Sequence, residues 1–343
     1  LSLTDTHREG RSSAERTESW KVRRVEESEV FRRLVEPARE GIDFATHLGL
    51  RVVEEARKVL QDPVTAGSYA QEAGEIVREF VHSLALPNDP PTRFKGCLGV
   101  RKQVAWAEPL SLAEVKAVSK VFGCTVNDVL ISAVSGAIRS YMLERGDAPD
   151  AVVDFRATVP VNLRPLEHAR ELGNHFGLVF LSLPLSVANP LERLYTVNQR
   201  MNELKSSKQA AVTFGFLAAL GMGPSVLQKP VLDILSQKAS AVLTNVPGPQ
   251  YPLYLAGSRM EQLMFWVPQN GSIGLGISIL SYDGKVFFGL ISDRGLVPDP
   301  HNIISRFRPE FEKLLYLALM LPLEARPDSL LAERIIIGSP PAG

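Results

Sequence analysis

Residues 272–292 read SIGLGISILSYDGKVFFGLIS, and this stretch decides the kind of fold that the chain can adopt. Two apolar, β-rich runs, Ser272–Tyr282 and Lys285–Ser292, flank the dipeptide Asp283-Gly284. An Asp-Gly pair between two such runs is a strong signal for a β-hairpin, because both central residues of the tight turn need a positive φ. The sequence therefore predicts two antiparallel strands here.

Glycine is frequent at the start of the first strand, where residues 271–276 read GSIGLG. A glycine-rich loop that binds phosphate would follow a strand and open a helix. These glycines lie inside a strand pattern instead. We interpret them as positions where another part of the backbone packs closely against the strand.

Upstream of the hairpin, β-rich runs alternate with amphipathic helices. We predict strands over Arg101–Trp106, Val152–Val159, Leu178–Leu185 and Ala239–Asn245. Helices are predicted to begin near Ser111 and after Thr125, to span Pro190–Lys205, and to follow Asp299, with Asp299 as N-cap and Pro300 at the first position. This order predicts an α/β domain with a mixed sheet.

The helix after Thr125 has the clearest local signal. Asp128 follows Thr125 at the spacing of a capping box. Gly146 is placed to end the helix. Apolar residues in between share one stripe: Val126, Val129, Leu130, Ala133, Val134, Ala137, Ile138, Tyr141 and Met142.

Composition limits the function classes. The chain has 343 residues, which predicts about two domains, and 38 basic residues balance 38 acidic ones, which argues against a nucleic-acid partner. Its two cysteines, Cys97 and Cys124, lack CxxC spacing, so we expect no disulfide framework and a reducing, cytoplasmic setting. None of its six histidines occurs in an HxxxH or HExxH pattern, and we expect neither a metal nor a cofactor.

The segments outside the mixed sheet are more helical. We expect residues 1–99 to be the helical remainder of a preceding domain and its crossover, with a charged, linker-like part at 5–29, then the α/β domain at 100–337 and a tail at 338–343. The first residue is Leu1, without signal-peptide features, so we expect an upstream segment. The uncharged run Gln209–Gln228 contains several glycines and a proline, and we interpret it as a buried or membrane-surface helix.

Four polar clusters are candidates for chemistry. They are Thr125–Asp128, Pro160–Arg164, Gly173–Gly177 and Thr244–Pro249, and three of them adjoin predicted strands. Taken singly, each is explained by local structure, because Asn and Gly tolerate the positive φ of turns and Pro stiffens them.

Taken together and in order, these clusters resemble the C-terminal region of the bacterial wax ester synthase/diacylglycerol acyltransferase family. The matching pieces are TVNDVLISAVSGAIRSYM, VPVNLRP, LGNHFG, TNVPGP and LGISILSYDGKVFFGLISDRGLVPD. The loop LPNDPPTRFKG is similar to the family's PLNGP loop but reads Pro87-Asn88-Asp89-Pro90. The resemblance runs from about Leu86 to Leu319.

The resemblance implies a chloramphenicol-acetyltransferase-like (CoA-dependent acyltransferase) fold, in which a mixed sheet is flanked by helices. It also implies a reaction, the transfer of a long-chain acyl group from acyl-CoA, a substrate and not a cofactor, to diacylglycerol or a fatty alcohol. The family's catalytic base lies in a His-His-x-x-x-Asp-Gly motif, which does not occur in this sequence. The resemblance places that motif upstream of Leu1, so we expect this chain alone to be inactive.

The resemblance also suggests roles for residues. We expect Thr244 to donate a hydrogen bond to the oxyanion, with Asn245 beside it, and Asn127 and Asp128 to fix the start of a helix beside the substrate channel. Asn174 is a candidate for the tunnel mouth. The remaining candidate motif or channel residues are Asn162, Arg164, Gly173, Pro247, Gly248 and Pro249.

Other interpretations stay open. A non-catalytic lipid- or CoA-binding module, or a degenerate partner half, would also lack the histidine motif. A peptide-synthetase condensation domain would share the fold but act on carrier-protein thioesters. A third alternative is a protein that binds the inner membrane face or lipid droplets peripherally through the uncharged run.

Overall fold

A mixed sheet forms the centre of the molecule. The computed structural model describes residues 87–149, 155–162, 176–207, 213 and 232–321. Within them, the strands are β1 (Lys102–Trp106), β2 (Leu110–Ser111), β3 (Phe155–Asn162), β4 (Phe176–Leu183), β5 (Ala241–Pro247), β6 (Tyr254–Leu255), β7 (Ser258–Arg259), β8 (Leu275–Tyr282) and β9 (Lys285–Asp293). The helices are α1 (Leu112–Val121), α2 (Val126–Glu144), α3 (Pro190–Ser206), α4 (His301–Ile304) and α5 (Phe307–Met320).

The main sheet has the order β1-β9-β8-β5-β3-β4, with β2 paired to β9 and with β6 and β7 in a separate hairpin. The central pairs β3·β5 and β5·β8 are parallel, and the outer pairs are antiparallel. The predicted mixed α/β sheet is therefore confirmed. Its parallel centre brings the carboxyl ends of β3, β5 and β8 to one edge.

The hairpin predicted at Asp283-Gly284 is present. Strands β8 and β9 pair from Leu275↔Ser292 to Tyr282↔Lys285. Both turn residues have positive φ, 47° at Asp283 and 74° at Gly284, as a type I′ turn requires.

Helices α1 to α5 cover one face of the sheet. Apolar residues of α1 to α5 and the inward residues of the strands form one continuous core, which includes Ile277 and Phe288 from the hairpin. Helix α2 lies at its centre, because residues all round this helix are buried, including Ser132, Ser135 and Gly136. Leu130 and Ala133 of its predicted apolar stripe are among the core residues.

The capping box of α2 is also confirmed. The amide of Asp128 donates to the Thr125 hydroxyl at 3.2 Å, and the amide of Thr125 donates to the Asp128 carboxylate at 2.8 Å. Gly146, just beyond the helix, has a φ of 76°.

An irregular strap, residues 263–270, crosses the face of the sheet opposite the helices. A Cβ on Gly276 would lie 2.5 Å from the carbonyl oxygen of Val267, and one on Gly289 would lie 2.8 Å from the Trp266 ring. A Cβ on Gly274 would lie 2.2 Å from the carbonyl oxygen of Phe94. The close backbone packing expected for these glycines is therefore confirmed.

The prediction of one continuous helix after Asp299 is wrong. The chain after Asp299 makes two helices, α4 and α5, separated at Ser305 and Arg306, where a single helix was expected. Pro300 is the N-cap of α4 and makes no side-chain capping bond. The Asp299 carboxylate instead binds the Tyr141 hydroxyl at 2.7 Å and the side chains of Arg145 and Asn302. Its carboxylate thus binds side chains, those of Tyr141 and Arg145 from far along the chain and that of Asn302 three positions away, in place of a backbone amide of α4.

The compact unit also begins before the expected boundary at residue 100. Phe94 is fully buried in the core and meets Phe155 edge-on at 5.4 Å. Asp89 accepts hydrogen bonds from the backbone amide of Arg156 and the hydroxyl of Ser240. The loop that resembles PLNGP is thus part of this domain.

Several expectations lie outside the described residues. These are the helices and linker before residue 87, the uncharged run 209–228 apart from Thr213, and the tail. Within the described residues, no single helix has the length and apolarity to cross a membrane; α1 and α2 reach that limit only as a pair, across a bend of 99°.

Candidate functional site at the carboxyl end of the central strands

The site candidates on β5 lie where the strand leaves the sheet. Along β5, burial alternates and then decreases, so that Val246 and Pro247 at its end are exposed. The preceding residues, Thr244 and Asn245, are half-buried. Register places Thr244 opposite Ser278 and Asn245 opposite Ile279 of β8. Both candidate side chains are therefore at an accessible edge of a rigid sheet.

Asn245 faces the helical layer. It shares its side of the strand with Ala241 and Leu243, which are core residues. Its side-chain Nδ2 donates to Oδ1 of Asn127 at 2.7 Å. Two candidates that are 118 positions apart in the chain are thereby joined, and the end of β5 is tied to the first turn of α2.

Thr244 faces the other side of the sheet. It shares that side with Val242, which packs near Phe180 and Ala239. Its neighbour Ser278 is almost fully buried and donates its hydroxyl to the Gly289 carbonyl at 3.2 Å. Thr244 and Asn245, which are adjacent in sequence, therefore act on opposite faces and cannot contact one substrate atom from the same side.

The first turn of helix α2, around Asn127, combines the positive end of the helix with the buried carboxylate of Asp128. The first turn of a helix has amide N–H groups without intrahelical partners and a partial positive charge. The Asp128 amide is bonded to Thr125, but Val126 and Asn127 precede it in the same turn. With its Oδ1 occupied by Asn245, Asn127 retains its side-chain N–H groups as donors.

The contacts of Asp128 hold the fold together. It is fully buried, and its Oδ2 accepts from Thr125 and, at 2.7 Å, from Nδ2 of Asn198 on α3. Asn198 was not among the candidates, and no sequence motif marked it. Burial, together with the nearby Asp128 charge, raises the pKa of the Cys124 thiol to about 12, which keeps this thiol protonated at neutral pH.

The proline-glycine turn after β5 is fastened to the hairpin. The Gly248 amide donates to the Ser281 carbonyl at 2.9 Å, and a Cβ on Gly248 would lie 2.3 Å from that oxygen. The Pro249 carbonyl accepts from Asp283 at 3.0 Å. Gln250, which the sequence did not single out, also bonds to Gly248, Ser281 and Gly284. This turn therefore fixes the exit of β5.

The other candidates are less informative. Asn162 is the last residue of β3, at the same edge of the sheet as Asn245, and pairs in register with Phe176. Arg164, Gly173 and Asn174 lie outside the described residues. In the part of the chain that is described, no group of three or more His, Cys, Asp or Glu side chains could hold a metal ion.

Comparison with known proteins agrees with this architecture. Residues 172–315 match the family model of the WS/DGAT C-terminal domain. The chain is 32% identical over 235 residues to a putative diacylglycerol O-acyltransferase of Mycobacterium tuberculosis, covering 66% of this chain and 46% of that protein. A probable diacylglycerol O-acyltransferase of the same organism is 30% identical over 229 residues, covering 66% and 50%. The chain thus spans about half the length of the curated relatives that it matches.

A solved structure shows the fold. The wax ester synthase/diacylglycerol acyltransferase of Marinobacter aquaeolei VT8 aligns with a TM-score of 0.51 and 23% identity, over 74% of this chain and 58% of that one. The mixed sheet flanked by helices is that of CoA-dependent acyltransferases, as expected. On these matches, the chain belongs to the wax ester synthase/diacylglycerol acyltransferase family, with residues 172–315 as its C-terminal domain.

Proposed function

We propose that the whole protein transfers a long-chain acyl group from acyl-CoA to diacylglycerol or a fatty alcohol. The observation that carries this proposal is the pairing of Asn245 with Asn127, which fixes the carboxyl end of β5, and with it Thr244, against the first turn of α2. Family membership and the names of the two mycobacterial relatives support the reaction class.

In the proposed reaction, the acceptor hydroxyl oxygen attacks the thioester carbonyl carbon while a base takes the hydroxyl proton. The carbonyl oxygen becomes an oxyanion. When the tetrahedral intermediate collapses, the carbon–sulfur bond breaks and the proton passes to the CoA sulfur, so that the ester and free CoA leave. In this scheme, the base belongs to the family's His-His-x-x-x-Asp-Gly motif, outside this sequence.

We assign the oxyanion to the edge of the sheet described above. The Thr244 hydroxyl is the primary donor in this proposal, because it is half-buried near the end of β5, beside the buried Ser278. Asn127 and Asn245 lie on the other face of the sheet, so in this proposal they fix the end of β5 and do not contact the oxyanion. A donor is most effective where water is excluded, since the local dielectric is low.

The test uses the protein with its upstream half, assayed by CoA release. Loss of one oxyanion donor typically costs about 2.7–4 kcal/mol, so Thr244→Val should lower kcat by roughly 10²–10³ without unfolding the protein. Thr196→Val is the matched control, because the Thr196 hydroxyl only donates to the Glu192 carbonyl of its own helix. A Thr244→Val variant that works at the parent rate would rule out this assignment.

A second candidate is a non-catalytic module that binds lipid or CoA. The observation that favours it is that the family's His-His-x-x-x-Asp-Gly motif does not occur in this sequence. In that case the protein with its upstream half would bind acyl-CoA but release no CoA. Release above the uncatalysed rate would exclude this candidate.

We further propose that the protein is cytoplasmic and reaches its lipid acceptor at the inner membrane face or at lipid droplets, through the uncharged run 209–228. Phe214 and Phe216 are the large aromatic residues of that run. Their replacement by Asp should abolish flotation with liposomes, because charged side chains do not enter the apolar interface. If flotation is unchanged, or if the parent does not float, this run is not the attachment surface.

A further inference from the structure

Two arginines, Arg101 and Arg294, face each other at the point where β1 begins and β9 ends. The pairing of these strands continues one step beyond Lys102↔Asp293, because the Arg294 amide donates to the Arg101 carbonyl at 3.0 Å. Residues that face each other across an antiparallel pair project their side chains from the same side, a few ångströms apart. Arg101 and Arg294 are thus neighbouring cations.

A buried carboxylate fixes the two loops that carry these arginines. The side chain of Asp293 is only 1% exposed and accepts from the ammonium group of Lys102 at 2.7 Å. It also accepts from the amides of Gly99 and Gly295, both at 2.8 Å. The loop before β1 and the loop after β9 are therefore bound to one another, which holds Arg101 and Arg294 in a defined arrangement.

Among the described residues, none compensates the charges of the two arginines. Like charges directly opposite each other destabilise a strand pair. The Asp293 carboxylate is already matched by Lys102, and within the described residues no side chain or carbonyl accepts a hydrogen bond from either guanidinium group. A pocket of about 390 Å³ lies between the same loops, with Val100 at its edge almost completely exposed.

We propose that Arg101 and Arg294 form a binding site for the phosphate group of a ligand. Guanidinium groups bind phosphate oxygens in pairs of parallel hydrogen bonds, and an anion between them would relieve their repulsion. Two sources carry this chemistry, the nucleotide end of CoA and the headgroup of an anionic phospholipid. Binding of the nucleotide end of CoA would extend the function proposed above and rests on it. The phosphate site itself does not depend on that function.

The experiment measures binding of inorganic pyrophosphate to the chain by calorimetry, without any acyl acceptor. Replacing both arginines by alanine should weaken binding about tenfold or more, because paired guanidinium contacts are among the strong hydrogen bonds. The matched control is the double variant Lys116→Ala/Lys120→Ala. It removes the same net charge from two exposed lysines one turn apart on α1, away from the pocket.

The control variant should bind pyrophosphate like the parent. If the parent binds none, or if both double variants lose binding equally, the site does not exist. Coenzyme A and phosphatidylglycerol vesicles then serve as separate arms. If the double arginine variant loses binding of CoA, the phosphate belongs to a nucleotide. If it loses binding of the vesicles, the phosphate belongs to a lipid headgroup. The proposal is contradicted if the variant binds both CoA and the vesicles as well as the parent does.

Discussion

Two buried aspartates differ in the direction of their pKa shift, because their hydrogen bonds oppose the effect of burial to different extents. Hydrogen bonds from Lys102, Gly295 and Gly99 hold the pKa of Asp293 below its usual value. Burial raises the pKa of Asp89, although its hydrogen bond with Ser240 and the Arg156 charge oppose this. Ionised Asp293 therefore stabilises the fold, whereas burial of ionised Asp89 opposes it.

The stabilisation from Asp293 should depend on pH. Because its folded pKa lies below the unfolded value, its contribution is complete above the unfolded pKa and is lost as pH falls through the folded one. We expect Asp293→Asn to lower the melting temperature near neutral pH and the difference from the parent to shrink below about pH 4. Thermal unfolding of the parent and the variant from neutral pH to below about pH 4 checks this prediction. A melting-temperature difference that grows as the pH falls would contradict it.

At the scale of elements, the glycines of β8 show how tightly the strap 263–270 packs on the sheet. The carbonyl oxygen of Val267 occupies the space where Gly276 would have a side chain. Backbone at such a contact cannot move as a flexible side chain can. The strap is thus held to the sheet by shape as well as by hydrogen bonds, such as the one between Gln269 and the Gly274 carbonyl.

A methyl group at Gly276 should separate the strap from the sheet. Overpacking of this kind costs typically about 1–3 kcal/mol. Gly276→Ala should therefore lower the urea midpoint and change the fluorescence of Trp266. Gly99→Ala is the control, since its Cβ would have only an ordinary contact, 3.7 Å from Asp293. Equal midpoints for the two variants would contradict this account of the strap.

Periodicity and turn chemistry predicted most of these elements. The Asp283-Gly284 turn and the Thr125 capping box were predictable because their signals lie within a few residues. The loss of the Asp299 cap was not, because Asp299 binds Tyr141, more than 150 positions away in the chain. The Asn127–Asn245 contact also depends on tertiary structure, although strand alternation alone separates Thr244 from Asn245.

For the whole molecule, one buried ion pair joins three helices. Arg193 of α3 binds Glu310 of α5 at 2.5 Å and donates to the Ser132 carbonyl of α2 at 3.2 Å. Both charged groups are at most 4% exposed. A Cβ on Gly136 would lie 2.2 Å from the Glu310 carboxylate, so this glycine provides the space for the pair.

Loss of one partner should be costly. Arg193→Met leaves the buried Glu310 with only the half-exposed Lys313 as a counterion, and breaking a buried pair typically costs about 3–5 kcal/mol. Arg308→Met is the control, because Arg308 is exposed and its pair with Glu312, at 3.7 Å, should contribute under about 1 kcal/mol. Urea unfolding of both variants measures the contrast. A small loss for Arg193→Met would show that the pair does not hold the helices together.

The other assignments made for the functional site depend on the acyl transfer proposed above. This transfer is tested most directly by supplying long-chain acyl-CoA and diacylglycerol, or a fatty alcohol, to the protein with its upstream half. The free thiol and the ester formed are measured in the same sample. The account predicts one CoA released for each triacylglycerol or wax ester made. Binding of acyl-CoA with neither product would contradict it and favour the non-catalytic module.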